Sequence, residues 1–261
     1  MNPVLDVMAR RASVREFTDA VPSEEVVESI VRAAQQAPFA AQMGSLVLER
    51  DRRKNPFGAP LLFTVCADVH RLELVLKRRH WMRVSSDAAT LLFAVQDASY
   101  MAENLVIAGE ACGLGSCYLG GAAFAAGRLV EKLALPPHVF PFVQLAMGYP
   151  AVRPEPRPRY PLSFSLHDGA YHEPTEAELD AAMAIMDEGY LAQDYYRDFV
   201  IPLEDGRADT FSRETYSWTE HMGRKWGQWL RDPNDLLGPL QACGFGVASS
   251  PQSPADRRGE A

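Results

Sequence analysis

The 261-residue chain carries 26 Lys and Arg against 34 Asp and Glu, a formal net charge of −8. That balance argues against nucleic acid as the main partner, since binding a phosphate backbone calls for a basic excess. At 47% hydrophobic and 23% charged, the composition fits a globular protein of one larger domain or two small ones. Along the chain, Ser23 before Glu24-Glu25 reads as an N-cap, and Val26, Val27, Ile30, Val31 and Ala34 continue at helical spacing as far as Pro38. Ser45–Leu48 and Leu61–Cys66 read as strands, the second apolar enough to be central. A long helix is expected over Asp87–Cys112, with Leu91, Leu92, Val95, Ala98, Ala102, Leu105 and Val106 on its core face and Gly113 as its left-handed cap. Ser116–Leu119 is a short strand, Phe124–Leu133 a helix, Phe140–Met147 a strand and Glu176–Leu191 a third long helix. The pattern is α+β on one continuous core, with no boundary before a C-terminal extension. The tail 246–261, rich in Ser, Pro, Gly and charge, reads as disordered.

Several classes drop out. The apolar runs, such as Ala59–Phe63, are too short to span a bilayer, so no membrane role is expected. The start MNPVLDVMARR lacks the apolar core of a secretory signal. Four cysteines without a CxxC pair fit reduced thiols in a cytoplasmic protein. Six scattered histidines show no ligand spacing, and no metal site is expected. Neither a GxSxG elbow nor a GxxxxGK[ST] loop is present.

Three segments can carry chemistry. In Arg11-Ala12-Ser13-Val14-Arg15, extended backbone puts 11, 13 and 15 on one side, two guanidiniums flanking a hydroxyl, a good phosphate clamp; a solvated basic surface is the plainer reading of it alone. After Gly148-Tyr149-Pro150, the arginines Arg153, Arg157 and Arg159 stand among five prolines, a stiff stretch that spends little entropy on binding an anion or simply connects two elements. In Gly113–Gly121, Tyr118 occupies the place where a dinucleotide fingerprint needs glycine, and the segment leaves a helix to enter a strand, so a Rossmann site is rejected. Its glycines still allow close approach of a flat ligand.

Taken in order, with Glu103–Ala108 ahead of GLGSCYLGG, these segments resemble the nitroreductase family of FMN-dependent NAD(P)H oxidoreductases. The likeness is greatest to the oxygen-insensitive major nitroreductases and NADPH–flavin reductases, over about Met8–His172 and more weakly around Tyr216–His221. The resemblance implies a nitroreductase-like α+β fold, a mainly antiparallel central sheet flanked by helices in an intertwined homodimer. It implies an FMN-binding core over 1–172, a helical extension of the same domain over 173–245, and one FMN at each subunit interface. Arg11, Ala12, Ser13 and Arg15, with Arg157 and Arg159, hold phosphate and ribityl chain in this scheme. The backbone of Tyr118, Leu119, Gly120 and Gly121 lines the ring, and Gln42 is the one amide of the 38–44 loop able to reach the pyrimidine edge. Arg197 and Arg207 are the candidates for the 2′-phosphate of NADPH. No side chain is expected to be a general acid or base, since flavin N5 carries the chemistry. Hydride comes from NADPH or NADH, and two electrons pass by a ping-pong cycle to nitroaromatics, quinones or flavins. The alternatives are a dedicated dehydrogenase or reductase of one biosynthetic intermediate, or a flavin-binding protein without turnover. Arg50–Ala59 is too short for the helix that the related branch usually carries there.

Overall fold

The structure is a computed structural model that describes residues 2–204, 206–229 and 236–246. The expected disordered tail lies, beyond Gly246, outside the described residues. Contacts divide the described residues into two compact units, one within 2–155 with 236–246 and the other within 156–229. The continuous core without a break before the extension is therefore not what is found: the break falls inside the proline–arginine stretch. The segment expected as an extension, 173–245, contributes to both units.

In the first unit, α1 (Pro3–Arg10) and α2 (Glu24–Gln35) precede β1 (Gly44–Glu49) and β2 (Leu61–Asp68). Asn2 and Ser23 cap the two helices by accepting the N–H groups of Val4 and Val26. Then follow α3 (His70–Arg78), α4 (Asp87–Ala111), β3 (Gly115–Leu119), α5 (Ala126–Leu133) and β4 (Val139–Gly148). The four strands stand in the order β1-β2-β4-β3, and every neighbouring pair is antiparallel. All eight residues of β2 are buried, as its unbroken apolar run requires. Helix α4 lies against the sheet through Ala94, Ala98, Ala102, Leu105 and Val106, whose small members admit close approach. Leu92, expected on this core face, is instead 59% exposed. The fifth helix begins at Ala126, two residues later than expected, behind a 3₁₀ turn at Gly120–Ala122. Arg50–Ala59 holds a turn and a 3₁₀ turn at Pro56–Gly58 in place of a longer helix.

The second unit is organised by α6 (Glu176–Ala192), opened by a capping box between Thr175 and Glu178, and α7 (Trp218–Arg224), continued by a wider π turn over Lys225–Trp229. Its core is aromatic: Tyr190, Tyr196 and Tyr216 with Met186, against Tyr195 and Trp218. The chain returns to the first unit in α8 (Leu237–Ala242), where Cys243 and Phe245 enter the main core.

A buried arginine holds the second unit together. Arg224 donates to both oxygens of Asp209 at 2.7 Å, to Glu220 at 2.7 Å and to the carbonyl of Ile201 at 2.8 Å, with the rings of Tyr216 and Phe211 beside it. The Arg224 hydrogen bonds pull the Asp209 carboxyl down to about 2. Replacing Arg224 with methionine strands these acceptors. Because Asp209 still meets solvent, the expected loss is moderate, about 2–3 kcal/mol. Limited proteolysis should then cut faster within 199–216; an unchanged cleavage rate rules this role out.

Candidate functional site

The segment 11–15 is held where strand-like pairing puts it. Ser13 bridges Ser116 of β3 in parallel, and the Val14 N–H donates to the Ser116 carbonyl at 2.9 Å. Further on, Thr18 donates to the Tyr149 carbonyl and Ala151 to that of Glu16, each at 2.9 Å. Ala12 and Val14 turn inward and are buried, whereas Arg11, Ser13 and Arg15 reach outward, the expected alternation. This approach depends on Gly115: a Cβ there would lie 2.5 Å from Cγ2 of Val14.

The two arginines stand close enough to β3 to act on Cys117. Burial pushes the Cys117 thiol up, while Arg15 and Arg11 act the other way. Among the described residues neither Arg11 nor Arg15 has an ion-pair partner. Beneath them Glu110 is buried, with one oxygen accepting from Arg153 at 3.0 Å and the other unpartnered. Desolvation raises its carboxyl, opposed by Arg153, Arg11 and Arg10. The hydroxyl of Ser116 is likewise buried and unpartnered among the described residues.

At the far end of β3, Tyr118 donates its hydroxyl to Glu103 at 2.9 Å, and burial raises this phenol. Leu119 is half-buried, and Gly120 and Gly121 are exposed. A Cβ on either glycine meets nothing within 4 Å. The protein's own packing thus does not demand glycine there, and the backbone is open to a flat group laid against it.

Gln42 is placed elsewhere. It leads into β1, and β1 and β3 are opposite edges of the sheet, three strand spacings or roughly 14 Å apart. One copy of the chain therefore does not bring Gln42 to Gly120 and Gly121. Gln42 lines a separate cleft of about 310 Å³ together with Phe39, Arg71, Asp97 and Met101.

In the second unit, Arg157 donates to Gln193 and stacks 3.9 Å over the ring of Tyr195. Arg159 donates to the carbonyls of Arg157 and Pro158. Gly189 admits the Pro158 ring at a distance that any Cβ would close to 2.5 Å, so the strap lies tight on α6. Arg197 is exposed and pairs with Asp194 at 3.7 Å; Arg207 is exposed, outside any helix or strand, two residues before Asp209. Sequence reasoning missed Asp97, Arg71 and Glu110. Its available signal was an acid on a helix face otherwise made of Ala and Leu, as at Asp97 between Ala94 and Ala98.

Among the described residues no cluster of His, Cys, Asp and Glu could hold a metal ion, and no helix is long and apolar enough to cross a membrane.

Known proteins are similar to this chain in sequence and in fold. The chain is 31% identical to a Cr(VI) reductase of Pseudomonas sp. (strain G-1), over 84% of its own length and 90% of the relative's. It is 28% identical to an FMN reductase (NADPH) of Bacillus subtilis (strain 168), over 76% and 85% of the two chains. The structure of a hypothetical oxidoreductase from Bacillus subtilis superposes with a TM-score of 0.80 at 24% identity, over 95% of this chain and 100% of that one. The model of the nitroreductase family matches residues 8–48 and 47–149. With a family match over more than half its length, the chain belongs to the nitroreductase family.

Proposed function

We propose that the protein is an FMN-dependent NAD(P)H oxidoreductase, with NADPH the preferred donor, that passes two electrons to nitroaromatics, quinones or flavins by a ping-pong cycle. The observation that carries this reading is the pair of outward guanidiniums, Arg11 and Arg15, with no ion-pair partner among the described residues, on a backbone segment that Ser13 and Val14 pair to Ser116 of β3. That donor set matches a phosphate monoester, charge-assisted and forked. The family resemblance also names Arg157 and Arg159 of the second unit as phosphate ligands, and there Arg157 is already engaged by Gln193 and Tyr195. The open backbone of Gly120 and Gly121 suits an isoalloxazine ring.

Bound FMN supplies two-electron chemistry at N5. The chain's part is to anchor the phosphate, offer backbone N–H groups along 118–121 and exclude alternative ring positions. No general acid or base is assigned.

The enzyme works as a homodimer in this reading. Leu92, Phe93 and Tyr100 are exposed along α4, and Trp81, Met82 and Val84 precede that helix, also exposed. Such an apolar face calls for a partner. The split of Gln42 and Gly120–Gly121 between opposite sheet edges supports the same conclusion: a flavin touching both takes them from two copies. Four free cysteines, three of them buried, suit a reducing cytoplasm.

The test is the absorbance spectrum of the purified protein, before and after anaerobic NADPH and NADH. A bound flavin spectrum that bleaches promptly with NADPH is expected. Bound flavin that bleaches with neither nucleotide sinks the nicotinamide half of the proposal, and absence of flavin after incubation with FMN sinks all of it.

A further inference from the structure

The loop 38–43 contains little that could order itself: Pro38, Phe39, Ala40 and Ala41 precede Gln42, and most of it is exposed. Two side chains of opposite charge order it from outside. Asp97, 3% exposed on α4, accepts the N–H groups of Ala40 at 2.6 Å, Met43 at 2.9 Å and Ala41 at 3.1 Å. From the other side Arg71 donates to the carbonyl of Gln42 at 2.8 Å and to that of Gly44, while its Nε pairs with Asp68 at 2.9 Å. An anion gathers the N–H groups and a cation gathers the carbonyls, so the loop's backbone polarity is sorted between them.

The result is a conformation the loop would not keep alone. Gln42 sits at φ +54°, in the left-handed region that a non-glycine residue occupies only at a cost. Gly44 lets the loop close onto α4, since a Cβ there would lie 3.3 Å from Cα of Ala98 and from Sδ of Met101.

We propose that Asp97 and Arg71 are positioning residues that hold the Gln42 amide ready for the edge of a flavin bound by a second copy of the chain. This rests on the proposed function. Neither residue touches the flavin; each acts through the backbone on either side of Gln42. A carboxamide at position 97 puts an N–H₂ where a backbone N–H must be accepted, so at least one of the three bonds is lost.

The experiment compares the wild type with Gln42→Ala, Asp97→Asn and the double variant, using amide hydrogen exchange on flavin-free protein and fluorescence titration with FMN. Asp97→Asn is expected to speed exchange at residues 40–43 about tenfold, the loss of roughly one hydrogen bond. FMN binding should weaken about tenfold in Asp97→Asn and in Gln42→Ala, with the same change in flavin spectrum, and no further in the double variant. Wild-type affinity in Asp97→Asn, beside a weakened Gln42→Ala, overturns the proposal alone. So does an Asp97→Asn loss that persists in full on the Gln42→Ala background, which marks a general lesion. An unaffected Gln42→Ala removes the flavin contact and the proposal with it, leaving the oxidoreductase reading standing. A wild type that binds no FMN overturns both. Should Asp97→Asn not fold, Arg71→Met carries the same comparison from the opposite side of the loop.

Discussion

Gly115→Ala should cost the protein both stability and cofactor. The new Cβ would stand 2.5 Å from Cγ2 and 3.0 Å from Cβ of Val14. Val14 is β-branched, 1% exposed and tied by its N–H to Ser116, so it has no room to rotate away while that bond is kept. Overpacking of this kind costs about 2–3 kcal/mol, which lowers the melting temperature by about 5 °C or more in a chain of this size. The alternative to strain is displacement of 11–15 from β3, which removes Arg11 and Arg15 from the proposed phosphate. Either route weakens FMN binding. Gly120→Ala is the contrast, because its Cβ meets no protein atom. Its melting temperature should stay at the wild-type value in the absence of FMN, while FMN binding falls. Equal melting temperatures for both variants and the wild type would show that residues 11–15 do not rest on β3 as described.

Arg15→Ala should release the cofactor without loosening the fold. Arg15 is exposed, and among the described residues no carboxylate pairs with it, so nothing in the protein is stranded by its removal. A charge-assisted contact to phosphate is worth about 1.5–3 kcal/mol, hence a 10- to 100-fold rise in the Kd for FMN. Arg15→Lys keeps the charge but not the fork and should fall between. The measurement is FMN titration by fluorescence, with thermal unfolding of the flavin-free proteins as the control. Stoichiometric FMN in purified Arg15→Ala removes this residue from the clamp. Purified Arg159→Ala tests the assignment to the second unit in the same way.

What could be read beforehand was what repeats at a local period. Ser23 and the 3.6-residue pattern after it mark α2, and the period of two in 11–15 forecasts which side chains turn outward. Gly113, at φ +82°, ends α4 as its position predicts. What could not be read depends on distance along the chain. Asp97 meets backbone groups 54 to 57 residues away, and backbone N–H groups leave no trace in side-chain identity. Arg157 looked like a free cation on a stiff stretch, yet Gln193 and Tyr195 occupy it. Helix α3 escaped notice because it has no buried residue to set a pattern. Leu92 had the right spacing for the core and still faces outward, since periodicity cannot tell which of two apolar faces a neighbouring element covers. Strand order is not chain order, so nothing in the sequence placed β1 and β3 on opposite edges.

If the flavin draws contacts from two copies as proposed, that separation of the edges makes cofactor retention and subunit association a single linked equilibrium. Where a ligand draws contacts from two copies, each molecule bound tightens the pair, and each dissociation of the pair sheds ligand. In such a dimer dilution would act as an inhibitor: a protein fully loaded at high concentration would lose flavin as its copies part, although no residue of the site had changed.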